Sequence, residues 1–139
     1  MSERRYELIE HTADVGIAVR GRDEAELIAN AACGLLDLIA DRETVVACDE
    51  RSCTAQGSDA EERLQSALSE LLFLHDTERI LFREVDVEVS GEVVTLRARG
   101  EPFDPARHTI LHQIKAVTFY GLEVERAGDE LRARIIFDV

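Results

Sequence analysis

The residues able to do chemistry fall at three places in the chain. His11-Thr12-Ala13-Asp14 is a polar break between two extended segments. There Asp14 offers a hard oxygen to a divalent cation, or caps a turn through its own backbone. At the other end stand Phe137-Asp138-Val139. If Phe137 faces a core, Asp138 faces out, and its carboxylate and the terminal one lie within a residue of each other. Two like charges this close repel unless a cation sits between them or water screens them. The third place is Ile114-Lys115-Ala116-Val117-Thr118, where Lys115 is the only lysine beside fifteen arginines. An ammonium and a guanidinium are not equivalent, so a retained lysine hints at a specific use; a surface lysine on a strand edge is the plainer reading.

Other pairings are weaker. His108 and His112 are four apart, but Pro102 and Pro105 just upstream favour loop geometry, and a structural zinc site needs four ligands. Cys33, Cys48 and Cys53 form no CxxC pair and leave one thiol over in any disulfide scheme, the pattern of a reduced, intracellular protein. The chain has no Walker loop, no GxGxxG, no GxSxG elbow and no HExxH. On these residues alone the reading is an acidic α+β domain able to hold a metal and to act through interactions.

The elements that must position these groups are legible in part. Val15, Ile17 and Val19 alternate with small residues, as in a half-buried strand. Asp23 with Glu26 three positions on forms a capping box, and Leu27, Ile28, Ala31, Leu35, Leu36 and Ile39 make one helical stripe ending near Ala40. Thr44 to Cys48 reads as a strand. Ser58 with Glu61 opens a second helix carrying Leu64, Ala67, Leu68, Leu71, Leu72 and His75. Val85, Val87 and Val89, the Gly91-Glu92 turn, and Val94, Leu96 and Ala98 make a hairpin. Residues 100–107 form a loop, 114–125 are extended, and Leu131, Ala133, Ile135 and Phe137 alternate to the end after a turn at Ala127-Gly128-Asp129. The sum is two helices and about seven strands with no internal repeat: a mainly antiparallel α+β sandwich with helices on one face, as one domain over residues 1–139.

The 139 residues suit one domain, and 45% hydrophobic with 32% charged residues is the balance of a folded chain. No apolar run reaches the roughly 20 residues that span a bilayer, and the N-terminus lacks a signal-peptide stretch, so no membrane role and a cytoplasmic location are expected. Sixteen basic against 29 acidic residues give a net charge of −13, which repels phosphate backbones; no direct, strong nucleic-acid binding is expected. Hard cations and basic protein partners fit that balance better.

Tyr6-Glu7-Leu8-Ile9-Glu10-His11-Thr12-Ala13-Asp14-Val15-Gly16-Ile17 resembles the opening signature of the archease family. The resemblance runs on through Leu27 to Asp41, Leu68-Ser69-Glu70-Leu71-Leu72-Phe73, Ile114 to Thr118, and Ile135-Ile136-Phe137-Asp138-Val139. It departs after Thr118, where the family often has an aromatic and then a histidine and this chain has Phe119-Tyr120, and in having no tryptophan. The resemblance implies a sandwich related to the strand–helix–strand–strand module. It implies an accessory protein, not itself an enzyme, that activates an RtcB-type tRNA-splicing RNA ligase by speeding its guanylylation and keeping it turning over. It also implies a divalent metal ion, calcium in the family, held by Asp14, Asp138 and the carboxylate of Val139, with His11, Thr12, Lys115 and Thr118 as further functional residues. The competing readings are a chaperone-like modulator of tRNA-processing enzymes and a free-standing metal-dependent hydrolase.

Overall fold

A computed structural model describes residues 6–10 and 14–139. Two antiparallel sheets share a core with two helices. The first sheet joins β1 (Tyr6–Glu10), β2 (Asp14–Gly21) and β8 (Glu130–Asp138). Along the far edge of β8 lie the two-residue β6 (Ala116–Val117) at one end and β7 (Val124–Ala127) at the other. The second sheet has the order β3 (Asp49–Gln56), β5 (Val93–Pro102), β4 (Ile80–Ser90).

Helix α1 (Glu24–Ile39) packs against β2 of one sheet and β4 of the other, and α2 (Ala60–Glu78) packs on β3 and β5. All six residues of the expected α1 stripe are buried, as are Leu64, Ala67, Leu68, Leu71 and Leu72 of α2. Each helix opens on an aspartate: Asp23 accepts the Glu26 N–H and Asp59 the Glu62 N–H, both at 2.8 Å. The second cap is therefore one residue later than Ser58, whose hydroxyl reaches the Glu62 side chain instead. In the first box, Glu26 turns back to the N–H of Arg22 rather than to that of its cap.

The caps expose a repeat that the residue pattern hid. Both helices follow a strand, a glycine, one residue and an aspartate: Gly21-Arg22-Asp23 and Gly57-Ser58-Asp59. Each glycine sits against the first turn of its helix, where a Cβ would lie 2.4 Å from the nitrogen of Leu27 or Arg63. Arg63 then binds the Glu24 carboxylate, tying the two helix starts together.

Three further sequence expectations need correction. Residues 44–48 are not a strand: Thr44 ends a 3-10 turn (Arg42–Thr44), Val45 plugs the core, and the strand is the polar segment 49–56 instead. β3 lies at a sheet edge and buries one of its eight residues fully, so its alternation carries little apolar signal. The strand β5 runs on through Gly100, Glu101 and Pro102, which were expected in a loop, because Pro102 closes the strand where no further donor is needed. Residues 114–125 are not one extended run: a turn at 119–122 divides β6 from β7. Glu101 explains the approach to β6. It is 6% exposed and accepts from the Val46 N–H, Arg107 and the His108 Nε2–H, while His108 Nδ1 accepts the Asp104 N–H. That network pins the loop that leads into β6.

Candidate functional site

Asp14 begins β2 and Asp138 ends β8, and the register sets them directly opposite each other. Their neighbours Val15 and Phe137, 4% and 0% exposed, point into the core. Strand alternation therefore puts both carboxylates on the outer face of the first sheet. Ile17, two residues from Val15, faces Gly34 of α1, which fixes that side as the helix side.

The far edge of β8 decides how close the two carboxylates are. The Ile136 carbonyl accepts the Thr118 N–H at 3.0 Å and the Thr118 hydroxyl at 2.9 Å, and the Asp138 carbonyl accepts the Lys115 N–H at 2.7 Å. Both carbonyls thus point away from β2. In an antiparallel ladder this makes Asp14 and Asp138 a pair that exchanges no hydrogen bonds, the arrangement with the closest side chains. Gln65 of α2 holds β6 in place by donating to the Val117 carbonyl at 2.8 Å.

Asp138 is exposed and Asp14 partly buried. Among the described residues, Asp14 Oδ1 is the buried side-chain oxygen without a hydrogen-bond partner. An orphaned carboxylate oxygen facing a second carboxylate is unfavourable in itself and suits a hard cation, which relieves both costs at once. No three His, Cys, Asp or Glu side chains cluster as a metal site among the described residues.

The remaining expected residues separate. Lys115 contributes its backbone N–H to the Asp138 carbonyl, and its exposed ammonium has no ion-pair partner among the described residues. Thr118 locks β6 onto β8. His11 and Thr12 lie outside the described residues. His108 is buried against Glu101, whereas His112 lines a cleft with Cys33 and Asp37, so the two histidines form no joint site. The cysteines Cys33, Cys48 and Cys53 are all free. Residue patterns missed the Glu101–Arg107–His108 network, which a buried carboxylate seven residues from a histidine does not advertise.

The architecture and the register define a small α+β protein whose first sheet ends in two opposed carboxylates. The model of the Archease protein family matches residues 6–139. Protein archease of Methanopyrus kandleri is 36% identical over 96% of this chain and 99% of its own, and that of Pyrococcus abyssi 33% identical over 91% and 92%. The solution structure of protein 1598 of Methanobacterium thermoautotrophicum, 33% identical, superposes with a TM-score of 0.88 over 99% of this chain and all of that one. A crystal structure from Thermotoga maritima, of an archease described as a possible chaperone, shares the fold at a TM-score of 0.67 and 22% identity, covering 94% of each chain. This chain belongs to the archease family. Among the described residues no helix is long and apolar enough to cross a membrane.

Proposed function

We propose that this protein is an accessory factor that activates an RtcB-type tRNA-splicing RNA ligase in the cytoplasm, promoting its guanylylation and multiple turnover without catalysing a reaction of its own. The observation that carries the reading is the Asp14–Asp138 pair with its orphaned oxygen, read in a chain of this family. Asp14, Asp138 and the Val139 carboxylate would hold a divalent cation, calcium in the family. When bound, such an ion supplies a concentrated positive charge able to accept oxygen ligands from a partner.

The residues of the chain then divide the work. Asp14 and Asp138 supply negative oxygen from two strands. The Lys115 N–H and the Thr118 hydroxyl hold the end of β8, keeping Asp138 opposite Asp14. The acidic surface draws a basic ligase toward the corner and raises the encounter rate.

The test is a guanylylation time course of the cognate ligase with and without this protein. Acceleration is expected from the unaltered chain and is expected to vanish for Asp14→Asn and Asp138→Asn although both variants remain folded, as read by circular dichroism. Full acceleration by both variants removes the carboxylate pair from the mechanism. The possible-chaperone description of the Thermotoga maritima relative favours a second reading, a modulator of several tRNA-processing enzymes. Recovery of many such enzymes with the chain, rather than one ligase, decides for it.

A further inference from the structure

We propose that Gln65 of α2 is a positioning residue for the Asp14–Asp138 pair, clamping β6 against the end of β8 so that Asp138 stays opposite Asp14. The inference rests on the divalent-cation reading for one of its two readouts, the calcium affinity.

Asp138 is the last residue of β8, and the ends of elements are where a fold opens most easily. Its partner on β2, Asp14, exchanges no ladder hydrogen bonds with it. The main chain of Asp138 is therefore fastened from the β6 side, where its carbonyl accepts the Lys115 N–H. β6 has two residues, and among the described residues it pairs with no strand but β8. A ladder that short does not hold itself. What closes its other edge sets how firmly Asp138 is kept in place.

That other edge belongs to α2. The carbonyl of Val117, a residue 5% exposed, accepts from Gln65 Nε2 at 2.8 Å. The same Nε2 donates its second hydrogen to the Ser69 hydroxyl, one turn further along α2, at 2.9 Å. The Val117 carbonyl can only accept, so the NH2 end of the amide and not its oxygen must meet it. Gln65 thus does for β6 what a neighbouring strand would do. Glu61, one turn before Gln65 on the same helix face, accepts the Val124 N–H at 3.2 Å. Two residues of α2 thereby grip the start and the end of the excursion that leaves β6 and enters β7. The helix is a firm base for that grip, since Leu64, Leu68 and Leu71 on it are buried.

The chain of contacts is continuous. Gln65 holds the Val117 carbonyl, the Lys115 and Thr118 N–H groups hold the β8 carbonyls, and β8 holds the carboxylate opposite Asp14. Without the Gln65 donor the Val117 carbonyl is buried and unpaired, a cost relieved when β6 lifts from β8 toward water. Asp138 then loses its fastening, and the pair no longer presents both carboxylates to one ion.

The test compares Gln65→Met, which keeps the length and helix preference of the side chain but cannot donate, with Gln65→Lys, which restores a donor. In Gln65→Met, amide exchange at Lys115 and Thr118, read by NMR in chelator, should quicken roughly 3- to 10-fold, the worth of one hydrogen bond. The β4–β5 ladder should exchange as before, and calcium titration should show a Kd raised by a similar factor. Gln65→Lys should restore the protection of Lys115 and Thr118. Unchanged exchange at those two amides in Gln65→Met overturns the proposal. So does exchange that quickens equally along β4 and β5, which would make Gln65 a contributor to general stability. Undiminished calcium affinity alongside quickened exchange overturns it as well. An unaltered chain that takes up no calcium refutes the cation reading, and the exchange comparison alone then judges the clamp.

Discussion

Replacing Asp138 by asparagine removes one of two carboxylates that the β2–β8 register holds opposite each other. In a pair without ladder hydrogen bonds the Cβ atoms stand about 5 Å apart. Two unit charges at that separation repel by about 1 kcal/mol in a water-like dielectric, the appropriate choice because Asp138 is exposed. The new amide can also donate to the orphaned Oδ1 of Asp14. In chelator, Asp138→Asn should therefore stabilise the protein by about 1 kcal/mol, raising Tm by roughly 3–5 °C for a chain of this size. Calcium should reverse the order. At 100 times its dissociation constant it adds about 2.7 kcal/mol to the unaltered protein and little to the variant. Scanning calorimetry in chelator and in calcium reads both effects. A variant that melts below the unaltered chain in chelator, or equal stabilisation of both proteins by calcium, refutes the reasoning.

Three further outcomes follow from the structure. The Arg107 guanidinium, then the Val46 N–H and the His108 ring, hold the Glu101 carboxyl down to about 2 from its ordinary 4.5. Because the folded value is the lower, this stability is complete above the unfolded value and is lost as pH falls toward 2. Acid unfolding curves of Glu101→Gln should thus be flatter across that window, and parallel curves would contradict the assignment. Burial pushes the Cys53 thiol up to about 11, whereas Cys48 is exposed; alkylation at pH 8 followed by peptide mapping should mark Cys48 first, and equal labelling would count against it. Phe137→Ala empties a fully buried site beside the carboxylate corner, so urea unfolding should show a loss of about 3–5 kcal/mol; a loss below about 1 kcal/mol would mean the ring does not fill the core.

Much of the fold was legible because local signals agreed with the global packing. The α1 stripe, the Val85–Ala98 hairpin and the alternation along β8 each pair a hydrophobic period with a turn or cap. The signal failed where burial is uneven. Val45-Val46 looks like a strand, yet Val45 is a single plug and the Val46 N–H goes to Glu101. β3 is a strand although its residues are mostly polar, because β5 supplies its ladder. The repeated strand–glycine–X–aspartate–helix unit was present in the letters, but divergence of the helices concealed it. At the site, Asp14 and Asp138 were visible as isolated acids; their opposition depends on a strand register set by residues 124 positions apart in the chain, which no spacing rule carries. Only the family resemblance joined them.

The central claim is that Asp14 and Asp138 together hold one divalent ion. Isothermal titration of calcium into chelator-stripped protein addresses it most directly, run beside Asp14→Asn and a chain lengthened by three residues after Val139. One ion per unaltered chain is expected, with no measurable site in Asp14→Asn and a weakened one in the lengthened chain. Absence of binding by the unaltered chain, or undiminished binding by Asp14→Asn, would contradict the account.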